Sequence, residues 1–275
     1  MPKQKKVPLG KLLVERGYFE DQDHAARWIM AGKVIVNSQR ANSAAEKVRA
    51  DAEIIVKGID LKYVGKGGLK LEGALSFFDF DVDGKVALDV GASTGGFTDC
   101  LLQHGAAKVY AIDVGYGQLA GKLRVDQRVV NMERVNISDV KPEQLVPKPE
   151  VATIDLSYLS LKKGIPIVAE LLTPDGDMLC LVKPLYEVED SEIRRTGKIT
   201  DKTIYQDVLY DLVEFVETKG YVCVGVTHSP VTGNKGTREF FLWVSLDSGR
   251  KKRNIDHDIS KAIEEVAALN KYNKK

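Results

Sequence analysis

The sequence predicts an α/β protein whose larger domain contains a mixed seven-stranded sheet, with a small α+β domain in front of it. From about residue 84, apolar runs of strand length alternate with stretches of helical period, which is typical of a largely parallel sheet. A glycine-rich turn at residues 91–96 follows the first of these strands. The last two strands, at 221–226 and 240–244, have no helical pattern between them, which fits an antiparallel final strand.

The small domain is predicted over residues 1–58. A first helix begins near residue 9 and ends before Gly17, and a second, capped by Asp21 or Asp23, ends at Gly32. Short strands are expected at 34–37 and 48–56. The apolar stripes that define the two helices are Leu9, Leu12, Leu13, Ala25, Ile29 and Met30.

The larger domain is predicted over residues 66–247, after a linker at 59–65, and a basic helical tail at 248–275 follows it. Helices are expected at 95–102 and 204–216. The predicted strands are 86–90, 108–113, 129–130, 151–155, 178–183, 221–226 and 240–244. For the tail, the apolar stripe after residue 254 favours a helix docked on the domain, and the basic run at 250–253 leaves contact with RNA open.

Composition excludes several classes of protein. With 44% hydrophobic residues in a chain of 275, a buried core is expected rather than disorder. No apolar run is long enough to span a membrane, and no apolar signal segment follows the basic N-terminus, so a cytoplasmic protein is expected. The three cysteines and four histidines lack ligand spacing, so neither a metal nor a disulfide is predicted.

The net charge of +1 is a cancellation between unlike segments. Residues 1–60 carry 11 basic and 8 acidic side chains, and residues 248–275 carry 8 basic and 4 acidic ones. Residues 61–247, in contrast, have a net charge of −6. A neutral total therefore does not exclude a nucleic-acid partner for the basic segments.

The turn after the first strand indicates a cofactor site. It reads G-x-x-x-G-G from Gly91 to Gly96, so the G-x-G-x-x-G fingerprint of dinucleotide binding is absent. Asp113, which ends the next strand, can accept hydrogen bonds from ribose hydroxyls, and Asp139 can contact an adenine amine. Both are also ordinary turn formers. The candidate cofactor-binding residues are Asp89, Gly91, Ala92, Ser93, Thr94, Gly95, Gly96, Phe97, Asp113, Asp139 and Asp155.

Charged residues at strand ends indicate a reactive centre. Asp155 and Lys183 end two very apolar strands, and the carboxyl ends of parallel strands form the ligand crevice of an open α/β sheet. The alternative is that each charge only reaches solvent from the end of its strand. Lys70 and Glu239 complete the candidate catalytic set.

These motifs resemble a known family. The loop D-x-G-x-x-x-G-G resembles the S-adenosylmethionine loop of class I methyltransferases, and Lys70, Asp155, Lys183 and Glu239 match the K-D-K-E tetrad of FtsJ-like ribose 2′-O-methyltransferases. The strings around the tetrad are similar to the hemolysin-A/TlyA family. The pattern L-x-x-x-L-V-x-x-G and the following A-x-x-W-I-x-x-G-x-V-x-V-N resemble an S4-like RNA-binding domain.

The resemblance implies a Rossmann-like class I methyltransferase domain, S-adenosylmethionine as cofactor, and methylation of a ribose 2′-hydroxyl, with cytidine as the nucleotide, in ribosomal RNA. Lys183 would act as the general base, oriented with Lys70 by the two carboxylates. The expected RNA-binding residues are Lys5, Lys6, Lys11, Arg16, Arg27, Lys33, Arg40, Lys66, Arg194, Arg195, Lys235 and Arg238.

Two segments depart from the family pattern, and two other functions stay open. Thr200, Lys202 and Tyr205 stand where relatives tend to have Arg, Pro and His, and Thr237 stands where Asn is usual; both departures bear on target choice.

The alternative functions are an RNA-binding factor with a degenerate methyltransferase domain, and a hemolysin. A hemolysin would need a lipid-facing segment, which the sequence lacks.

Overall fold

The computed structural model describes residues 6–19, 21–59, 61–157, 159–197, 199, 201–233 and 236–269. Its first part is the predicted small domain, which has a hydrophobic core of its own. Its elements are β1 (Lys6–Pro8), α1 (Leu9–Glu15), α2 (Gln22–Met30), β2 (Val34–Val36), β3 (Gln39–Arg40), β4 (Lys47–Arg49) and β5 (Ile54–Val56). β1 pairs with β4, and β2 lies between β3 and β5.

The helices of this domain begin and end close to the residues that the sequence predicts. Asp21 accepts a hydrogen bond from the backbone N–H of His24 (2.7 Å) and so caps α2. Leu9, Leu12, Leu13 and Ile29 are buried, because one face of each helix packs on the short strands. Met30 is an exception: it is 71% exposed, although its neighbour Ile29 in the same turn of α2 is buried.

The larger domain is built on a seven-stranded sheet in the order β11-β12-β10-β9-β6-β7-β8. β12 runs antiparallel to both of its neighbours, whereas the strands from β10 to β8 are parallel, so the predicted fold class is confirmed. The strands are β6 (Val86–Val90), β7 (Lys108–Asp113), β8 (Val129–Glu133), β9 (Val151–Ile154), β10 (Asp177–Val182), β11 (Val222–His228) and β12 (Phe240–Ser245).

Helices cover both faces of this sheet, and each face has its own apolar cluster. The sequence predicts α4 and α9 but not α3 or α6. The helices are α3 (Gly67–Phe78), α4 (Gly96–Gln103), α5 (Gly121–Arg124), α6 (Leu161–Leu171), α7 (Pro184–Glu187), α8 (Ser191–Thr196), α9 (Thr203–Thr218) and α10 (Ile255–Ala268).

The C-terminal segment is a docked helix. Ile259, Ala262 and Val266 of α10 are buried in the same cluster as β11 and α9. The basic run before it is largely paired within the domain: Arg253 bonds Asp258 (2.9 Å), and Arg250 bonds Asp177 (2.5 Å). These guanidinium groups therefore hold the helix in place.

The predicted linker is only partly a linker. Tyr63 is 2% exposed and belongs to the cluster beneath α3 and α4, and the N–H of Val64 donates to Asp99 (2.8 Å). Residues 63–65 therefore pack as part of the larger domain. The small domain also touches that domain at Gly17, whose added Cβ would lie 2.8 Å from the Cβ of Lys66.

Candidate active site

The glycine-rich turn lies at the carboxyl end of β6, beside β9. Because β7 lies on one side of β6 and β9 on the other, the chain order reverses here, which is where open α/β sheets bind ligands. Gly91 has a φ of +90°, and a Cβ built on it would lie 2.3 Å from the carbonyl oxygen of Asp155. The turn thus brings bare backbone against the residue that follows β9.

Replacement of Gly91 by alanine is expected to weaken binding of the cofactor that the motif resemblance implies, S-adenosylmethionine, at least tenfold. The methyl group would force the turn away from Asp155, and the positive φ adds strain of about 1 kcal/mol. Gly58→Ala is the matched control, since Gly58 has a φ of +85° but no atom within 4 Å of the added Cβ. Calorimetric titration should show the loss in the first variant and wild-type affinity in the second; equal affinities would contradict the close approach.

Asp113 joins the turn to the end of β7. Its carboxylate accepts hydrogen bonds from the backbone N–H of Ser93 (2.8 Å) and of Gly115 (2.6 Å). The side chain is half-buried, and a carboxylate has further acceptor sites that stay available. This geometry fits the expected hydrogen bonds to a ribose.

Asp89 does not line the crevice. It is fully buried, where it accepts hydrogen bonds from Thr98 Oγ1 (2.6 Å) and Thr153 Oγ1 (3.0 Å). Burial raises the pKa of Asp89 to about 7, against the opposing effect of the two hydroxyls. The expectation that this side chain touches a cofactor is therefore corrected: Asp89 fixes α4 and β9 around the turn.

The side chains of four other cofactor candidates are either buried beneath the turn or exposed to solvent. Ala92 and Phe97 are buried, and the ring of Phe97 stacks on Phe241 at 6.1 Å between centroids, so these two side chains support the turn from the core. Ser93 is exposed. Asp139 is exposed on a single 3₁₀ turn after β8, close to the hydroxyl of Ser138 (3.4 Å).

The four residues of the predicted tetrad form two ion pairs. Lys70 Nζ and Glu239 Oε2 lie 2.5 Å apart, and their side chains are 7% and 6% exposed. Burial alone lowers the pKa of Lys70, but the charges of Glu239 and Asp155 outweigh it, so the net pKa is raised. Lys70 is therefore held as a cation.

The second pair is more open. Lys183 Nζ pairs with Asp155 Oδ1 and also donates to Ser157 Oγ at 3.1 Å. The side chains of Lys183 and Asp155 are 16% and 24% exposed. Because the charge of Asp155 also acts on Lys70, both pairs belong to one cluster at the carboxyl edge of the sheet.

Lys66 is a further member of this cluster. It caps α3 one turn before Lys70, and burial together with the charge of Lys70 lowers its pKa to about 8, against the opposing charges of Glu239 and Asp155. From the sequence, Lys66 is expected to bind RNA and is not a member of the candidate catalytic set. The spacing of four residues between Lys66 and Lys70 would place both on one helix face, but no helix is predicted there.

The expected RNA-binding residues differ in their exposure to solvent. Arg16 is 5% exposed and donates to the carbonyl oxygens of Ala52 (2.6 Å) and Ala50 (2.7 Å), so it holds the small domain together and is removed from the proposed RNA surface. Lys5 and Lys235 lie outside the described residues. Those with exposed side chains are Lys6, Lys11, Arg27, Lys33, Arg40, Arg194 and Arg195, whereas Lys66 and Arg238 are half-buried.

Comparison with known proteins identifies the larger domain. Residues 63–246 match the model of the FtsJ-like methyltransferases. The chain belongs to the FtsJ-like methyltransferase family. It is thus an S-adenosylmethionine-dependent methyltransferase, as the glycine-rich turn and the tetrad predict.

Two relatives and one solved structure extend the similarity to almost the whole chain. YqxC of Bacillus subtilis, provisionally named an rRNA methyltransferase, is 43% identical over 95% of this chain and 94% of its own. TlyA of Mycobacterium tuberculosis, named a 16S/23S rRNA (cytidine-2′-O)-methyltransferase, is 37% identical over 92% of this chain and 96% of its own. A solved structure from Streptococcus thermophilus, provisionally named a hemolysin, has a TM-score of 0.80 at 35% identity. The match covers 96% of this chain and 97% of that one.

Two further features of the described residues concern membranes and metals. Within those ranges, no helix combines the length and apolar character needed to cross a bilayer. In the same residues, no three His, Cys, Asp or Glu side chains are grouped as metal ligands would be.

Proposed function

We propose that this methyltransferase modifies a ribose 2′-hydroxyl of ribosomal RNA, with cytidine as the nucleotide. The observation that carries the proposal is the pairing of Lys70 with Glu239 and of Lys183 with Asp155, beside the glycine-rich turn. The relatives named for rRNA methylation support RNA as the substrate.

S-adenosylmethionine fits the crevice described above. The backbone of residues 91–95 and the carboxylate of Asp113 would hold it, since the turn offers close approach and the aspartate offers acceptors for ribose hydroxyls. When bound, it supplies an electrophilic methyl group. Asp155 adjoins the turn through its carbonyl oxygen, so the acceptor hydroxyl would lie near this carboxylate and Lys183.

The lysines take different roles in this proposal. A ribose hydroxyl must lose its proton as it attacks, so a base within hydrogen-bond reach is required. Lys183, in its neutral form, would accept that proton, because it is the more exposed of the two paired lysines and Asp155 and Ser157 direct its Nζ. Lys70, held as a cation by Glu239, would stabilise negative charge on the acceptor oxygen.

The small domain would recruit the RNA through the exposed basic side chains of α1, α2 and β3. Arg40 lies against Gly32, where an added Cβ would meet its guanidinium at 2.3 Å, and Lys33 is the next residue. Lys33 also lies over the ring of Trp28 at 6.0 Å. Two cations thus share one surface at the end of α2, which suits neighbouring phosphates.

Replacing Lys33 and Arg40 together by alanine is expected to weaken RNA binding and to reduce its salt dependence. Each lost phosphate contact lowers the slope of log K against log salt by about 1, so a change of about 2 is predicted. Fluorescence anisotropy with an rRNA fragment over a salt series measures it. Lys148→Ala is the control, because Lys148 is exposed just before β9, at the opposite edge of the sheet; equal slopes in the two variants would remove this surface from the proposal.

Transfer of labelled methyl from S-adenosylmethionine to isolated ribosomal subunits tests the function. We expect label in the RNA fraction of one or both subunits. Binding of S-adenosylmethionine without transfer to any RNA would favour the alternative of an RNA-binding factor. Leakage of sealed liposomes, in place of transfer, would favour a hemolysin.

A further inference from the structure

Glu187 lies at the end of α7, four residues after Lys183. Its carboxylate accepts a hydrogen bond from Ser160 Oγ at 2.5 Å and another from the backbone N–H of Leu161 at 2.9 Å. These two residues begin α6, which follows the loop that carries Asp155. One side chain thus connects the segment after β10 to the segment after β9.

The carboxylate suits this place. The first N–H groups of a helix lack partners within the helix, and negative charge near them is favourable. Ser160 caps α6 by accepting from the N–H of Lys162 (3.2 Å), and Glu187 satisfies the N–H of Leu161. Burial raises the pKa of Glu187, while the bonds from Ser160 and Leu161 oppose that rise.

The same two segments also meet at the active site. Lys183 pairs with Asp155 and bonds Ser157, and Glu187 bonds Ser160 and Leu161 farther along. The Asp155 loop is therefore fastened to the Lys183 segment at both of its ends. Without the second attachment, the loop would be held at its first end only, where Lys183 contacts Asp155 and Ser157 and the N–H of Asp155 donates to the carbonyl oxygen of Val90 (2.9 Å). The ion pair at that end lies in the more open part of the cluster.

We propose that Glu187 is a positioning residue: by holding the start of α6, it sets the placement of Asp155 and Ser157 against Lys183. This rests on the proposed function of Lys183 and Asp155. Glu187 touches neither reacting group. Its effect is on geometry, and a displacement of about 1 Å at a reacting centre costs about 100-fold in rate.

Glu187→Ala is expected to lower kcat for methyl transfer about 10- to 100-fold, with the Kd for S-adenosylmethionine and the KM for RNA within about threefold of wild type. Glu187→Gln should recover most of the rate, because its amide oxygen can accept from Leu161 and its NH₂ can donate to Ser160. Glu189→Ala, an exposed neighbour, is the matched control and should behave as wild type.

Single-turnover kinetics of these variants decides between positioning and simple stabilisation. A kcat for Glu187→Ala within twofold of wild type, or a loss that appears only in KM, would overturn the proposal. Ser160→Ala removes one of the two bonds to Glu187, together with the cap that Ser160 provides for the N–H of Lys162, and should lower kcat in the same direction. If Glu187→Ala does not fold, Ser160→Ala replaces it in the test, and a wild-type kcat in Ser160→Ala would overturn the proposal.

Amide exchange separates this inference from the proposed function. If the wild type transfers no methyl to RNA, the proposed function fails, and exchange at Leu156, Ser157 and Leu161 then tests Glu187 alone. Faster exchange at these amides in Glu187→Ala than in Glu189→Ala supports the positioning role, and unchanged exchange contradicts it.

Discussion

Lys183→Ala is expected to lower methyl transfer by about 10²- to 10⁴-fold, the range that general bases contribute. Lys183 Nζ is the paired amine that reaches the open side of the cluster, where it contacts Asp155 and Ser157. Affinity for S-adenosylmethionine should stay near that of the wild type, since the glycine-rich turn and Asp113 are intact. Single-turnover transfer and calorimetric titration measure the two quantities.

Lys183→Arg is the sharper companion variant. A guanidinium preserves the charge and can still pair with Asp155, but it does not release its proton near neutral pH. We therefore expect this variant to bind cofactor and RNA and yet to be nearly as slow as the alanine variant. Substantial activity in either variant would show that another group, with Lys66 as the first candidate, takes the proton.

Glu239→Ala is expected to remove activity and to destabilise the fold by about 3 to 5 kcal/mol, because it leaves the buried cation of Lys70 without its direct partner. Urea unfolding measures the stability and methyl transfer the activity. Asp211→Ala, which breaks the exposed pair with Lys162, is the control and should cost no more than about 1 kcal/mol.

The double variant Lys70→Met with Glu239→Leu separates stability from function. Well-packed apolar side chains can replace a buried ion pair at little cost, so we expect stability close to wild type and methyl transfer still lost. A double variant that is stable and active would show that the Lys70–Glu239 pair is structural only.

The sheet and its active edge could be predicted because their signals are local. Most strands from β6 to β12 are apolar runs; the exception is β8, which contains Asn131 and Glu133 and is predicted only over 129–130. Asp155 and Lys183 stand directly after β9 and β10. Since parallel strands bring their carboxyl ends to one edge, the meeting of these two side chains follows from strand order. The glycine-rich turn is likewise contiguous in the sequence.

Features that depend on tertiary contacts could not be predicted in this way. α3 begins with two glycines and is apolar around much of its circumference, so it lacks a clear amphipathic signal. α6 does have an apolar face, but Gly164 and Pro166 in its interior disfavour a helix on sequence grounds. The roles of Lys66 and Glu187 depend on these helices. The prediction that Arg16 lies on the RNA surface is wrong, because position in the sequence does not distinguish a guanidinium that binds phosphate from one that binds buried carbonyl groups.

The central claim is that the two ion pairs serve methyl transfer to a ribose oxygen. Ribosomal RNA methylated by the purified protein can be digested to nucleosides and the position of the new methyl group read by mass spectrometry. We expect 2′-O-methylcytidine with the wild type and none with Lys183→Ala. A methyl group on the base, or equal 2′-O-methylation by both proteins, would contradict the account.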